Sequence, residues 1–202
     1  MYQWRKMTVE EREEALRERR QRRLPHHSPP HFAGDAPRLY HLTAACYEHR
    51  PIVGLSPNRM AEFEAELVKT LRAEGRELAV WCVLPNHWHA LVRTGDLRGT
   101  TKAVGRLHGR MSHAWNGEAD CRGRTCWHRC ADRAMRSDAH VFATINYIHH
   151  NPVHHGYVEQ WTQWPFSSAA DYLDAIGQEE AKRRWKQYPL LDYGKGWDEP
   201  EM

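Results

Sequence analysis

Residues 77–93 constrain the fold more than any other part of the sequence. Residues 77–84 are a mostly apolar run in which Leu78, Val80, Cys82 and Leu84 alternate with Trp81 and Val83. Pro85-Asn86 follows, and residues 87–93 form a second run rich in strand-forming residues. Successive side chains of a strand point to opposite faces, and a Pro-Asn dipeptide between two such runs favours a chain reversal. The pattern therefore predicts a β-hairpin.

The sequence around this hairpin predicts the order of the remaining elements. Residues 38–48 form a largely buried run typical of a strand, and Ser56-Pro57 resembles a helix start, with the helix extending to about residue 74. A second helix is predicted over residues 99–115, a fourth strand over 126–134, and a third helix from residue 138 to Asn151, ended by Pro152. This order indicates an α+β fold: a ferredoxin-like split βαβ antiparallel sheet with helices on one face and an added C-terminal helix.

Composition limits the class of protein. The 202 residues carry a net charge of only +3, so local basic stripes matter more than the total charge. The sequence contains no run of 18 apolar residues, so no membrane span is predicted, and residues 1–23 do not resemble a secretory signal. Five cysteines, an odd number, favour reduced thiols and a cytoplasmic protein.

Two basic segments are candidates for binding a phosphate backbone. Thr8 and Glu11 fit a capping box, which predicts a helix to about residue 23, followed by a Pro- and His-rich arm. This helix contributes Arg19, Arg20, Arg22 and Arg23. The second predicted helix contributes Lys102, Arg106 and Arg110, which are spaced four apart and so form one stripe. In both cases a solvated charged surface is the alternative.

His87 and His89 lie two residues apart in the third predicted strand, so both side chains point to one face. Two neutral imidazoles on one face can bind a divalent cation. The chain contains 15 histidines, so about one His-x-His is expected by chance, and two surface histidines remain the alternative. The pair gains weight only if other parts of a site can be found.

The third predicted helix provides candidates for those parts. Tyr147, His150 and Asn151 lie at i, i+3 and i+4, so they share one face. His150 or Asn151 could be the third ligand of Mg²⁺ or Mn²⁺, and a cation near Tyr147 would stabilise its phenolate as a nucleophile. Attack on a phosphodiester would form a covalent phosphotyrosine. A half-buried structural tyrosine and a helix stop at Asn151-Pro152 are the alternatives.

Three blocks of sequence, in this order, resemble one family. Residues 84–92 (Leu-Pro-Asn-His-Trp-His-Ala-Leu-Val) resemble the HUH motif of single-tyrosine transposases. Residues 147–158 (Tyr-Ile-His-His-Asn-Pro-Val-His-His-Gly-Tyr-Val) resemble their tyrosine helix, and residues 164–168 (Trp-Pro-Phe-Ser-Ser) resemble a downstream Trp-x-x-Ser-Ser element. The resemblance is to the branch called REP-associated tyrosine transposases.

The resemblance implies a function and a domain organisation. It implies nicking and rejoining of single-stranded hairpin DNA, the REP palindrome, with Tyr147 attached to the 5′ phosphate and a 3′ hydroxyl released. His87 and His89 would be metal ligands. Relatives with Gln four residues after the tyrosine place the third ligand at Asn151, and His150 departs from the acidic or amide residue expected. Residues 37–175 would form the transposase domain, between an N-terminal helix and arm (1–36) and a C-terminal tail (176–202).

Several alternatives remain open at this point. A replication-initiator or relaxase-like nickase could use the same groups, although relaxases usually place the tyrosine before the histidines. A catalytically silent, domesticated DNA-hairpin-binding protein would keep the fold alone. An ordinary metal-dependent hydrolase would use bound water, leaving Tyr147 structural. A bacterial, nucleoid-associated protein, monomer or homodimer, is expected from the resemblance.

Overall fold

A four-stranded antiparallel sheet forms the centre of the fold. The computed structural model describes residues 37–73 and 75–190, together with residues 8, 10, 14 and 17. The strands are β1 (Arg38–Ala45), β2 (Arg76–Val83), β3 (His87–Thr94) and β4 (Ala131–Ala134), in the order β2-β3-β1-β4. Because this is the strand order of the split βαβ arrangement, the predicted fold class is confirmed.

Two helices cover one face of the sheet. They are α1 (Pro57–Leu71) and α2 (Leu97–Glu118), the crossover helices of the two βαβ halves. The Ser56 side chain accepts a hydrogen bond from the Arg59 amide at 3.2 Å, so the predicted N-cap is confirmed. Large apolar side chains of both helices pack against the even-numbered residues of β1 and β3, and the core includes Leu42, Phe63, Leu67, Trp88, Leu107 and Trp115.

The opposite face of the sheet carries a second helical layer. It contains α3 (Asp138–His154), α4 (Ala169–Ile176) and α5 (Gln178–Gln187). Ile145, Tyr147 and Ile148 of α3 pack against Val80 and Leu91 of the sheet. Helix α5 was not predicted and lies in the segment expected to be a tail. Within the described residues, none of these helices combines the length and apolar content needed to cross a membrane.

Strand boundaries differ from the prediction where the backbone leaves extended geometry. Strand β1 ends at Ala45 rather than at residue 48, because Glu48 and His49 have left-handed φ angles of 53° and 51°. Strand β4 is shorter than predicted. Thr43 pairs with Ala131, and Cys46 forms an isolated bridge with Trp127. The chain advances three residues between these pairs on the β1 side and four on the β4 side, and this extra residue interrupts the ladder.

A β-bulge changes which residues of β2 share a face. Leu78 pairs with Val92, but Val80 pairs with Leu91, so the register shifts between them. As a result Leu78 belongs to the core under α1 and α2, whereas Val80 faces α3. The uniform alternation expected from Leu78 to Leu84 is therefore wrong at its first residue.

Helix α3 continues beyond Pro152, although the proline was expected to end it. A proline removes only its own N–H donor and its φ is already helical, so it can be accommodated in a last turn. The His155 amide donates to Asn151 O at 3.0 Å, and Tyr157 N donates to Pro152 O at 2.9 Å. These bonds extend the helix to His154 and keep Asn151 inside a regular turn.

The Trp-Pro-Phe-Ser-Ser block forms an extra edge to the sheet beside β2. Val83 N donates to Phe166 O at 2.8 Å, and Ser168 N donates to Trp81 O at 3.0 Å. Trp164 Nε1 donates to Val83 O at 2.8 Å. Ser168 precedes α4, but its buried hydroxyl contacts Trp81 and His149 Nε2 and does not cap the helix. The block therefore covers the exposed strand edge and connects it to α3.

Candidate active site

His87 and His89 lie side by side on the β3 face that α3 covers. Both side chains are buried, and their ring centroids are 5.0 Å apart. Trp88 points into the opposite core, where its indole Nε1 donates to His108 Nε2 at 3.1 Å. The alternation predicted for this strand thus separates a polar pair from a large apolar side chain.

Asn86 determines which nitrogen of His87 carries the proton. The Asn86 amide nitrogen lies 3.2 Å from His49 O, which accepts its hydrogen bond and fixes the amide orientation. Asn86 Oδ1 therefore faces His87 Nδ1, at 2.8 Å. Since an amide oxygen can only accept, His87 Nδ1 is the protonated nitrogen and Nε2 carries the lone pair. A partner of this kind is typical behind a metal-binding histidine.

Asn151 faces the other side of the His87 ring. Its Oδ1 lies 3.0 Å from His87 Nε2, while its Nδ2 is buried without a hydrogen-bond partner among the described residues. With Nδ1 protonated, both facing atoms are acceptors, which a cation between them would satisfy. Neighbouring ligands of an octahedral ion at about 2.1 Å lie about 3.0 Å apart. The His87 nitrogen and the Asn151 oxygen therefore have the spacing of two neighbouring ligands of such an ion.

The two candidates for the third ligand are placed differently. Asn151 lies at the histidine pair, whereas the His150 ring packs against Trp185, with 5.2 Å between centroids. His150 also lines a cavity on another side of α3. Of the two candidates, Asn151 is thus the one whose side chain contacts His87.

His41 is a further member of the site and was not predicted. Its Nε2 lies 3.1 Å from His89 Nδ1, so His89 has a partner at Nδ1 just as His87 does. Burial, followed by the charges of Arg133 and His140, lowers the pKa of His41 to about 3. Burial also lowers the pKa of His89 well below its usual value, and nearby histidines lower it further. Neutral imidazole is the form that binds a metal.

Tyr147 lies on the turn of α3 that precedes Asn151. Its ring centroid is 5.2 Å from that of His89 and 6.1 Å from that of His41, in edge-to-face geometry. The residue is 6% exposed, because most of the ring belongs to the apolar cluster between α3 and the sheet. The helix thus places the candidate nucleophile next to the candidate ligands.

The Pro85-Asn86 turn is fixed from two sides. Cys46 N donates to Asn86 O at 2.6 Å, and Gly54 N donates to Pro85 O at 2.8 Å. A Cβ atom at position 54 would lie 2.3 Å from Pro85 Cβ, so only glycine allows this approach. The turn therefore gives the Asn86 side chain a defined position behind His87.

The predicted basic residues lie away from this site. Lys102, Arg106 and Arg110 are exposed on α2, which covers the other face of the sheet, and Arg110 pairs with Glu66 at 3.0 Å. Arg19, Arg20, Arg22 and Arg23 lie outside the described residues. One unpredicted cation, Arg133, is exposed on β4 opposite His41, so it shares the face of the histidine pair.

The residues that were missed had weak signals in the sequence. His41 stands alone in a buried strand, where a histidine is usually structural. Thr43 of β1 pairs with His89, so the two side chains share a face of the sheet. His41 lies two residues before Thr43 in the same strand and therefore shares that face with His89. Asn86 was assigned to the turn because Pro-Asn is a turn signal, and that assignment concealed its second contact.

Comparisons with known proteins support the resemblance. No family model matches the chain. A REP-associated tyrosine transposase of Escherichia coli (strain K12) is 30% identical over 105 residues, which cover 50% of this chain and 59% of that protein. The chain therefore aligns with less than two thirds of this relative.

A solved structure is similar in fold. It is a REP-associated tyrosine transposase bound to a REP hairpin, with a TM-score of 0.55 and 19% identity, and the match covers 70% of this chain and 82% of that one. At this identity the match bears on the fold alone. Together with the sequence similarity, it confirms that the chain resembles REP-associated tyrosine transposases.

Proposed function

We propose that this chain, similar to REP-associated tyrosine transposases in sequence and fold, is a metal-dependent single-stranded DNA endonuclease and strand transferase. Its substrates would be DNA hairpins resembling REP palindromes. One observation carries the proposal: Tyr147 stands beside His89, while His87 faces Asn151 across 3.0 Å. If Tyr147 were only structural, nothing would require two acceptor atoms, His87 Nε2 and Asn151 Oδ1, to face each other beside it.

His87, His89 and Asn151 would bind the cation. When bound, Mg²⁺ or Mn²⁺ supplies positive charge that polarises the scissile phosphate and stabilises the tyrosine phenolate. Asn86 orients His87, and His41 orients His89, through contacts to Nδ1 of each ring. Burial lowers the pKa of His89, which keeps the ring neutral, and a neutral ring is the form that binds a cation.

Tyr147 would act as the nucleophile of a transesterification. Its phenolic oxygen forms a bond to phosphorus as the bond from phosphorus to the 3′ oxygen breaks. The phenolic proton is transferred overall to that 3′ oxygen, leaving a 3′ hydroxyl and a 5′-phosphotyrosine. One phosphoester replaces another, so no water is consumed and the strand can be rejoined by the reverse reaction.

The DNA would meet the site from the side of β4. Arg133 is exposed on the face of the histidine pair and provides a cation for a backbone phosphate. The Lys102 and Arg106 stripe of α2 covers the other face of the sheet. In this proposal it binds duplex phosphates of the hairpin stem rather than the strand that is cut.

A covalent-adduct assay tests the proposal. The full-length protein is incubated with a labelled single-stranded hairpin and Mn²⁺, then denatured and separated by electrophoresis. We expect a protein–DNA adduct that survives denaturation, which Tyr147→Phe abolishes and His87→Ala strongly reduces. Tyr157→Phe is the matched control, because Tyr157 is 43% exposed and close in sequence.

Each other outcome rejects part of the proposal. An adduct formed by Tyr147→Phe, or cleavage without any adduct, would refute the tyrosine mechanism. Full activity of His87→Ala would refute the metal assignment. Tight hairpin binding with neither cleavage nor adduct would identify a silent DNA-binding protein.

A further inference from the structure

A cavity of about 510 Å³ lies on a different side of α3 from Tyr147 and Asn151. This volume is within the range of small-ligand sites in proteins. We name it the ring pocket, because five aromatic or imidazole rings line it: His149, His150, Trp161, Tyr172 and Trp185. Nothing in the nuclease chemistry above uses these residues.

The rings of the pocket are arranged for stacking. Trp161 stacks on His149, with centroids 5.6 Å apart and planes at 26°, and Tyr172 lies 5.0 Å from His149. Trp185 packs at 5.2 Å from His150 and remains 39% exposed, one of the few large hydrophobic side chains that the described residues expose. An exposed indole beside a cavity offers a flat apolar surface to a planar ligand.

Polar and charged groups complete the lining. Asn146, Gln160 and Gln178 contribute amides. The Asn146 nitrogen already donates to Tyr188 O at 2.9 Å and the Gln160 side chain accepts from the Gln163 backbone, which leaves the Asn146 oxygen and the Gln178 amide for the edge of a base. Lys182 and Lys186 are exposed on α5, with Lys182 also 3.0 Å from Glu179. Glu159 is the one acidic residue in the lining, and because Glu179 pairs with Lys182, Lys186 is the lysine of the lining that we expect to meet a phosphate. This combination matches a base with its phosphate.

We propose that the ring pocket binds one unpaired base, with its phosphate, from the DNA strand that Tyr147 attacks. The pocket residue Asn146 directly precedes the nucleophile on α3, so the pocket and Tyr147 lie within one turn of the same helix. Aromatic stacking with nearby lysines is the usual means of binding single-stranded nucleic acid. The inference rests on the proposed function for the identity of the strand, but the pocket can be tested without cleavage.

The test compares two fluorescently labelled probes with the full-length protein in EDTA: the hexanucleotide dT6 and an abasic backbone of equal length. We expect tighter binding of dT6. Trp185→Ala should weaken dT6 binding about 5- to 100-fold and leave the abasic probe unchanged. Trp185→Phe keeps a ring and should retain most of the affinity, which separates loss of stacking from loss of folding.

Lys186→Ala tests the phosphate part of the proposal. It should weaken both probes alike and reduce the slope of log affinity against log salt by about 0.7. Lys69→Ala is the matched control, because Lys69 is an exposed lysine on α1, on the other face of the sheet. Anisotropy titrations at several salt concentrations measure both effects.

Two results would overturn the proposal: equal binding of dT6 and the abasic probe by the wild type, or unchanged dT6 binding by Trp185→Ala. Either refutes the pocket even if the hairpin adduct forms. Conversely, base-dependent dT6 binding that requires Trp185, in a protein that forms no adduct, supports the pocket and refutes the proposed transferase. The two failures are therefore distinguishable.

Discussion

Replacing Asn86 by alanine should weaken Mn²⁺ binding without removing any proposed ligand. The Asn86 oxygen, 2.8 Å from His87 Nδ1, keeps the proton on that nitrogen. Without it, the ring can adopt the other tautomer, in which Nε2 donates to Asn151 Oδ1, 3.0 Å away. That hydrogen bond would occupy the same two atoms that we expect to bind the cation.

The size of the effect follows from these contacts. A neutral hydrogen bond stabilises the competing tautomer by about 1 kcal/mol, and releasing the imidazole ring from its partner adds roughly 0.5–1 kcal/mol of side-chain entropy. A total of about 1.5–2 kcal/mol corresponds to about 10- to 30-fold weaker binding. This lies within the range of about 10–100-fold found when a partner behind a metal ligand is removed.

Titration of the full-length protein with Mn²⁺, followed by electron paramagnetic resonance in the absence of DNA, measures this affinity. Asn116→Ala is the control, because Asn116 is also buried but donates to Arg124 O, far from β3 in the chain. Asn86→Asp keeps an acceptor and should recover most of the affinity. Unchanged Mn²⁺ affinity in a folded Asn86→Ala protein would refute the reasoning, as would an equal loss in Asn116→Ala.

The remaining predictions concern stability and DNA binding. Ser168→Ala should lower the free energy of unfolding, measured by urea denaturation, by about 2–4 kcal/mol, because it leaves the buried Trp81 backbone N–H and His149 Nε2 without their partner. The control Ser167→Ala should lower it less. Arg106→Ala should reduce the salt slope of hairpin-DNA binding by about 0.9, and an unchanged slope would exclude a phosphate contact. Burial lowers the pKa of His108 to about 3, below its unfolded value near 6.5, so the contribution of this one histidine to stability should fall by about 1.4 kcal/mol per unit as pH decreases between these values. His108→Gln should remove that contribution, as denaturation at pH 7 and pH 5 would reveal.

Local patterns were sufficient to predict the fold because its elements are regular. Helix α1 is specified by an apolar stripe spaced three or four residues apart, Met60, Phe63, Leu67 and Leu71, and the hairpin by the alternation before its turn, without long-range information. The same patterns placed the pair of histidines on one face and put Asn151 one turn after Tyr147. These are relations within one strand or one helix, which sequence spacing determines.

The residues behind the ligands could not be predicted in this way. The contact of His41 with His89 depends on the register between β1 and β3. The contact of Asn86 with His49 depends on the left-handed backbone of Glu48 and His49. The position of His150 depends on how α3 is rotated against the sheet, and that rotation places the His150 ring against Trp185 of α5. Each is a tertiary relation with no periodic signal in the sequence.

The register of β3 connects folding to the proposed chemistry. A slip of one residue would turn His87 and His89 into the apolar core beneath α1 and α2, and would place Trp88 next to Tyr147. Burial of two imidazoles against that core would be costly, so the same apolar packing that stabilises the sheet also selects the arrangement of the site. The close approach of Gly54 to Pro85 fixes the turn from which this register starts. A residue far from any substrate is thus required for the geometry at His87.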